Sequence, residues 1–104
     1  MEEKIKEFLY DTLNYDKHLY YKSVSKSCFD IDKCEKHKKG DNKFDNSLLV
    51  RDYLIDDQEY YLVKNKYDMY DTLGFELWDF QIAILIPELN QYLIMIYSGG
   101  EYRG

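Results

Sequence analysis

Residues 80–97 read FQIAILIPELNQYLIMIY, and no other stretch constrains the fold as strongly. Two apolar runs flank the four residues PELN, and a four-residue connection with Pro at its first position suits a type I turn between antiparallel strands. In that register Leu85 faces Tyr92, Ile84 faces Leu93 and Ile82 faces Met95. Successive side chains of a strand point to opposite faces, so Ile82, Ile84 and Ile86 share one face while Ala83 and Leu85 share the other. The partner run repeats this, with Leu93, Met95 and Tyr97 alternating with Tyr92, Ile94 and Ile96. Apolar residues on both faces require cover on both faces. A single short helix covers only one. The other must meet a second helix, the polar segment 25–46 or another subunit, so a homodimer through this two-faced hairpin is one expectation.

The rest of the chain supplies the cover and the remaining strands. Over Glu2–Leu13, Ile5, Phe8, Leu9, Thr12 and Leu13 recur at helical spacing, with Glu2 and Glu3 in the first turn and Asn14 as a stop. HLYYKSVS alternates loosely and reads as a first strand. Residues 25–46 are polar, anchored only by Phe29, Ile31 and Phe44, and read as a loop or insertion. SLLVRDYLI and EYYLVK read as two strands joined by DDQ, and NKYDMYDTLG as a turn or short helix ending at Gly74. The expected fold is a single α+β domain over residues 1–104. It consists of an N-terminal helix packed on an antiparallel sheet of four to five strands, closed by the C-terminal β-hairpin.

A chain of 104 residues sustains one modest core. The N-terminus MEEKIKEF has no basic segment followed by an apolar run, and Pro87, Glu88, Asn90 and Gln91 break the longest apolar region below bilayer-spanning length. The expectation is a soluble, cytoplasmic protein with no membrane contact, in which Cys28 and Cys34 are reduced thiols. Its 12 Tyr reflect a low-GC codon bias as much as any function. Charge is more informative because it is uneven. Residues 1–43 carry 10 Lys and 9 Asp+Glu, net +1, whereas residues 44–104 carry 4 Lys+Arg and 11 Asp+Glu, net −7. An acidic surface repels nucleic acid and favours basic protein partners.

Few residues suggest chemistry. CFDIDKCEKHKKGD, residues 28–41, holds Cys28, Cys34 and His37, which with His18, Asp30 or Asp32 could ligate zinc. The C-x5-C-x2-H spacing is off the usual pattern, and Lys33, Lys36, Lys38 and Lys39 oppose a cation. A small metal protein is therefore an alternative, and a polar loop with Cys28 at the core edge is the plainer reading. Neither cysteine has the context of a nucleophile. No phosphate-binding glycine loop, nucleophile elbow or H-E-x-x-H appears, so no enzyme and no cofactor are expected.

What remains is an acidic stretch interleaved with aromatics. Asp52, Tyr53, Asp56, Asp57, Glu59, Tyr60, Asp68, Asp71, Glu76 and Asp79 are the candidate partner-binding residues. Spaced carboxylates can imitate nucleic-acid phosphates, and neighbouring tyrosines offer flat contact surface. In size, acidity and aromatic content the chain resembles two groups of small acidic proteins. One is the bacteriophage and mobile-element proteins that disable host defence nucleases, anti-CRISPR proteins among them; the other is the immunity proteins that neutralise nuclease toxins. The resemblance rests on size and composition and carries no site residue over. It implies a stoichiometric inhibitor that occludes the basic site of a nuclease or other nucleic-acid-processing protein without touching nucleic acid itself.

Overall fold

The computed structural model describes residues 2–13, 20–40, 48–70 and 74–102. Five strands form one antiparallel sheet, and a helix stands at the N-terminus. The elements are α1 (Glu2–Thr12), β1 (Tyr20–Ser25), β2 (Glu35–Lys38), α2 (Leu48–Tyr53), β3 (Glu59–Tyr70), β4 (Phe75–Ile86) and β5 (Gln91–Tyr102). Across the sheet the order is β1-β5-β4-β3-β2. Strand dominates. None of the described helices is long and apolar enough to cross a membrane.

β4 pairs with β5 from Ile86↔Gln91 to Phe75↔Tyr102, placing Leu85, Ile84 and Ile82 opposite Tyr92, Leu93 and Met95, the register read from the sequence. The connection Pro87–Leu89 is a 3-10 turn with Pro at its start, and Asn90 closes it in the left-handed conformation at φ 52°. Asn tolerates that region better than other residues with a Cβ.

Two clusters fill the two faces. On the first face Phe80, Ile82, Ile84, Ile86, Leu93 and Met95 join Ile5, Leu9 and Leu13 of the N-terminal segment and Leu49, Val50 and Leu54 of the α2 segment. On the second face Ala83, Tyr92 and Ile94 are buried beside Val24 and Tyr61 of the neighbouring strands and pack against Phe29 and Ile31. The Phe29 and Tyr92 rings lie 5.2 Å apart, and Tyr61 meets Tyr92 edge-on at 6.1 Å. The polar segment thus supplies the second cover, through two short 3-10 turns, Lys26–Cys28 and Ile31–Lys33.

Three local expectations are corrected. SLLVRDYLI is not a strand: residues 48–53 are the helix α2. Leu49, Val50, Tyr53 and Leu54 recur at helical spacing, whereas strand alternation would place Asp52 on the same face as Val50 and Leu54. NKYDMY is not a turn, because β3 runs on to Tyr70. Its true signal is the alternation of Asn65, Tyr67 and Met69 with Lys64, Lys66 and Asp68, which the turn-forming Asn and Asp mask. The segment 25–46 is more than a loop, since β2 pairs with β3 from Glu35↔Leu62 to Lys38↔Glu59. Its residues 41–46 lie outside the described residues, as do His18, Asn14 and Asp71.

The register of β3 against β4 shifts between Leu62 and Lys64. A bulge adds one residue and so exchanges the faces reached by odd and even positions beyond it. Before it, Tyr61 opposes Ala83 on the second face; after it, Tyr67 opposes Trp78 on the first, and Lys66 opposes Asp79 on the second. The far halves of β3, β4 and β5 form a three-stranded arm that extends past both clusters.

Candidate functional site

Asp56, Asp57 and Glu59 meet at the turn between α2 and β3. The turn is held from the side: the backbone N–H of Lys39 donates to the Gln58 carbonyl at 2.9 Å, and the Asp57 N–H donates to the Lys39 carbonyl at 3.2 Å. The Lys39 ammonium donates to the carbonyls of Leu54 and Arg51 near the end of α2. Asp57 sits in the left-handed region at φ 66°, which Asp tolerates. These bonds keep the carboxylates outward, with the Asp56 and Asp57 side chains 96 % and 81 % exposed.

Beside this turn runs an open groove on the second face. Asp56, Asp57 and Glu59 line its acidic side, and Ile55, Tyr61, Leu85 and Pro87 line its apolar side. Lys38 is its basic residue. A lysine or arginine side chain has the matching shape of an apolar stem with a cationic head.

The separation of charge along the chain does not survive folding. β2 brings its lysines beside the acids of β3 and the preceding turn: Lys36 meets Glu59 at 3.1 Å, Lys38 meets Asp57 at 3.9 Å and Lys39 meets Asp56 at 3.8 Å. Farther along, Lys64 meets Asp79 at 2.6 Å and Lys66 meets Asp68 at 3.4 Å. Asp52 pairs with Arg51 at 2.9 Å on α2, and the guanidinium hydrogen bond holds its carboxyl below the usual range. Asp79 is held low by its hydrogen bonds from Lys64 and then Gln81. Sequence reasoning missed the part played by Lys36, Lys38, Leu85 and Pro87, because only long-range strand pairing brings them to the acids.

The remaining candidates divide. Tyr60 is fully buried in the first cluster, and the half-buried Tyr53 packs against that cluster. Glu76 is also buried, accepting a 2.7 Å hydrogen bond from the Tyr67 hydroxyl. Tyr60 and Glu76 therefore present no contact surface: one fills core and the other is the buried acceptor of a cross-strand bond. Asp68 and Asp79 belong to the arm, on the face opposite Tyr67 and Trp78. The fold brings together Asp56, Asp57 and Glu59, and separates them from Asp68 and Asp79 along the length of β3.

Cys28 and Cys34 exchange the roles expected of them, since Cys28 is exposed and Cys34 half-buried. Burial, and then the charge of Asp30, raises the Cys34 thiol above its ordinary value, which disfavours the thiolate. His37 lies on β2 with its ring 5.6 Å from Tyr60 and its Nε2 3.4 Å from a Glu35 carboxylate oxygen. Among the described residues no three His, Cys, Asp or Glu side chains converge as a metal site. The two-faced hairpin expected to carry a subunit contact has little apolar surface left near its turn: Ile94 is 1 % exposed and Ile96 half-buried.

Comparisons with family models, with characterised proteins and with solved structures find no match to this chain.

Proposed function

We propose that this protein is a non-enzymatic protein-binding module, a stoichiometric inhibitor that acts in the cytoplasm by occluding a basic surface on its partner. The partner class that suits it is a nuclease or another nucleic-acid-processing protein, as for anti-defence and toxin-immunity proteins. One observation supports the reading above the others: three exposed carboxylates border a groove with an apolar side, on a turn held by backbone hydrogen bonds. The ion pairs of Asp57 with Lys38 and of Asp56 with Lys39 are long, that of Glu59 with Lys36 is close at 3.1 Å, and all three are exposed at the carboxylate end, where such pairs contribute little. A partner's arginines can replace them at small cost. In this reading α1 packed on the sheet and the β4–β5 hairpin form the rigid scaffold behind the groove.

The test starts with the partner recovered by tagged pull-down at low salt. Association is then timed for the wild type and for the triple variant Asp56→Lys, Asp57→Lys, Glu59→Lys. The expected result is association slowed about ten-fold or more, with a flatter dependence on ionic strength. Unchanged rates and unchanged salt dependence in a folded triple variant would remove the groove from the account.

A further inference from the structure

β2 ends its pairing with β3 at Glu35↔Leu62. Beyond that point, among the described residues, no strand lies along the outer edge of β3 from Lys64 to Tyr70. An edge that no described strand covers over this length offers backbone donors and acceptors to an extended chain, and lysines such as Lys64 and Lys66 deter most visitors. Asp68 changes that balance for one particular visitor.

We infer that the outer edge of β3 is a self-recognition surface, on which a second copy of this chain pairs antiparallel about a two-fold axis at Tyr67. Two identical edges related by an axis normal to the sheet keep their faces matched, so only registers that oppose residues of the same face are available. With the axis at Tyr67, Lys66 opposes Asp68 of the second copy, and Asp68 opposes its Lys66. Within each strand Lys66 and Asp68 already meet at 3.4 Å, so the four charges form a square in which every neighbour is opposite in sign. Asn65 opposes Met69 on the other face, and the two Tyr67 residues meet at the axis.

The neighbouring registers fail on charge. Moving the axis to Lys66 sets two lysines face to face, and moving it to Asp68 sets two aspartates face to face. Like charges directly opposite destabilise a strand pair. The Lys66 register also sets Asp68 opposite Lys64, so Lys66-Tyr67-Asp68 favours the axis at Tyr67 because that register alone of the three has no like-charged pair. The joined arms form one continuous sheet across six strands, with Tyr67 and Trp78 of both copies on a common face. This inference does not rest on the acidic groove, which lies some seven residues away along β3, about 23 Å at the usual rise per residue.

The test is the mass of the full chain by sedimentation at micromolar concentration, with far-UV circular dichroism as the control for folding. The wild type is expected at twice its 12.6 kDa chain mass. Asp68→Lys places lysine opposite lysine at two symmetric positions and should raise the dissociation constant about ten-fold or more. The double exchange Lys66→Asp, Asp68→Lys rebuilds the alternating square with signs reversed and should restore the dimer. A wild type that stays at single mass near 100 µM, about the upper range of such measurements, overturns the inference. So does a folded Asp68→Lys variant that dimerises as the wild type does, or a folded exchange variant that fails to recover. Because neither variant alters Asp56, Asp57 or Glu59, loss of self-pairing and loss of partner binding are read separately.

Discussion

The two ends of the sheet are built from the same three strands under opposite conditions. Near the Pro87–Leu89 turn, β4 and β5 are covered on both faces, and Ile82, Ala83, Ile84, Leu93 and Met95 have no solvent exposure. In the arm β3 carries Tyr67 at 57 % and Met69 at 53 % exposure, and β5 carries Tyr102 at 71 %. Yet the hydrogen-bonded ladder continues without a break from Ile86↔Gln91 to Phe75↔Tyr102. Strand continuity at the covered end propagates order outward, and local cross-strand contacts sustain the rest. Those contacts are specific. Trp78 lies over Gly99 and stacks near Tyr97 at 6.1 Å, and on the opposite face Leu77 and Phe75 lie over Gly100. Each glycine is where it is because a Cβ would collide, at 2.8 Å from the Trp78 ring for Gly99 and at 2.9 Å from Leu77 for Gly100.

If the covered end carries the stability, the largest loss comes from a cavity there. Leu93→Ala should cost about 2–5 kcal/mol in denaturant unfolding, enough to unfold much of a small domain. Tyr102→Ala, at the exposed end of the same strand, should cost less than about 0.5 kcal/mol. Equal losses at both ends would erase the distinction. The arm's own contacts come next. Gly99→Val should displace the indole, shift tryptophan emission and cost about 1–3 kcal/mol, while leaving the helical circular-dichroism signal in place. A smaller effect belongs to the buried Glu76. Tyr67→Phe removes its 2.7 Å hydrogen bond and should cost about 1–2 kcal/mol, with faster amide exchange confined to residues 64–70 and 75–81.

The smallest effects are chemical. Lys64→Met removes the main hydrogen bond that holds Asp79 low, so its carboxyl should titrate closer to the ordinary aspartate range by NMR. A depressed folded value contributes stability that is complete above the ordinary aspartate range and is lost as pH falls through the folded value. The acid-side drop in Tm should therefore be shallower in the Lys64→Met variant. Alkylation followed by peptide mass spectrometry should label the exposed Cys28 before the half-buried Cys34, whose thiolate is disfavoured.

The covered end was legible in the sequence because its signal is local. Ile82, Ile84 and Ile86 against Ala83 and Leu85 announce a strand with two apolar faces, and PELN announces the reversal. The arm was not. Asn65, Asp68 and Gly74 are turn residues by chemistry, and the alternation that keeps β3 extended to Tyr70 passes through a bulge that exchanges its faces. Asp56, Asp57 and Glu59 were legible as a surface cluster, since exposed acids at a turn need no tertiary information. Tyr60 and Glu76 were misplaced because burial depends on which partners arrive from elsewhere, here the first cluster and Tyr67. The lysines of β2 were legible as charges and not as neighbours, since the Lys36–Glu59 contact closes a long loop.

The strand order has a consequence for how the molecule assembles. β3, β4 and β5 are consecutive and pair with their sequence neighbours, but β1 pairs with β5, joining Ser23 to Gln91. During synthesis β1, made before the other described strands, must wait for β5 before its partner exists. Until then Val24, Phe29 and Ile31 have no Tyr92 or Ile94 to cover. Closing so long a loop late slows folding relative to a chain of local pairs. The β3–β5 meander is then the natural template for β1, whereas β2 needs only β3 for its pairing.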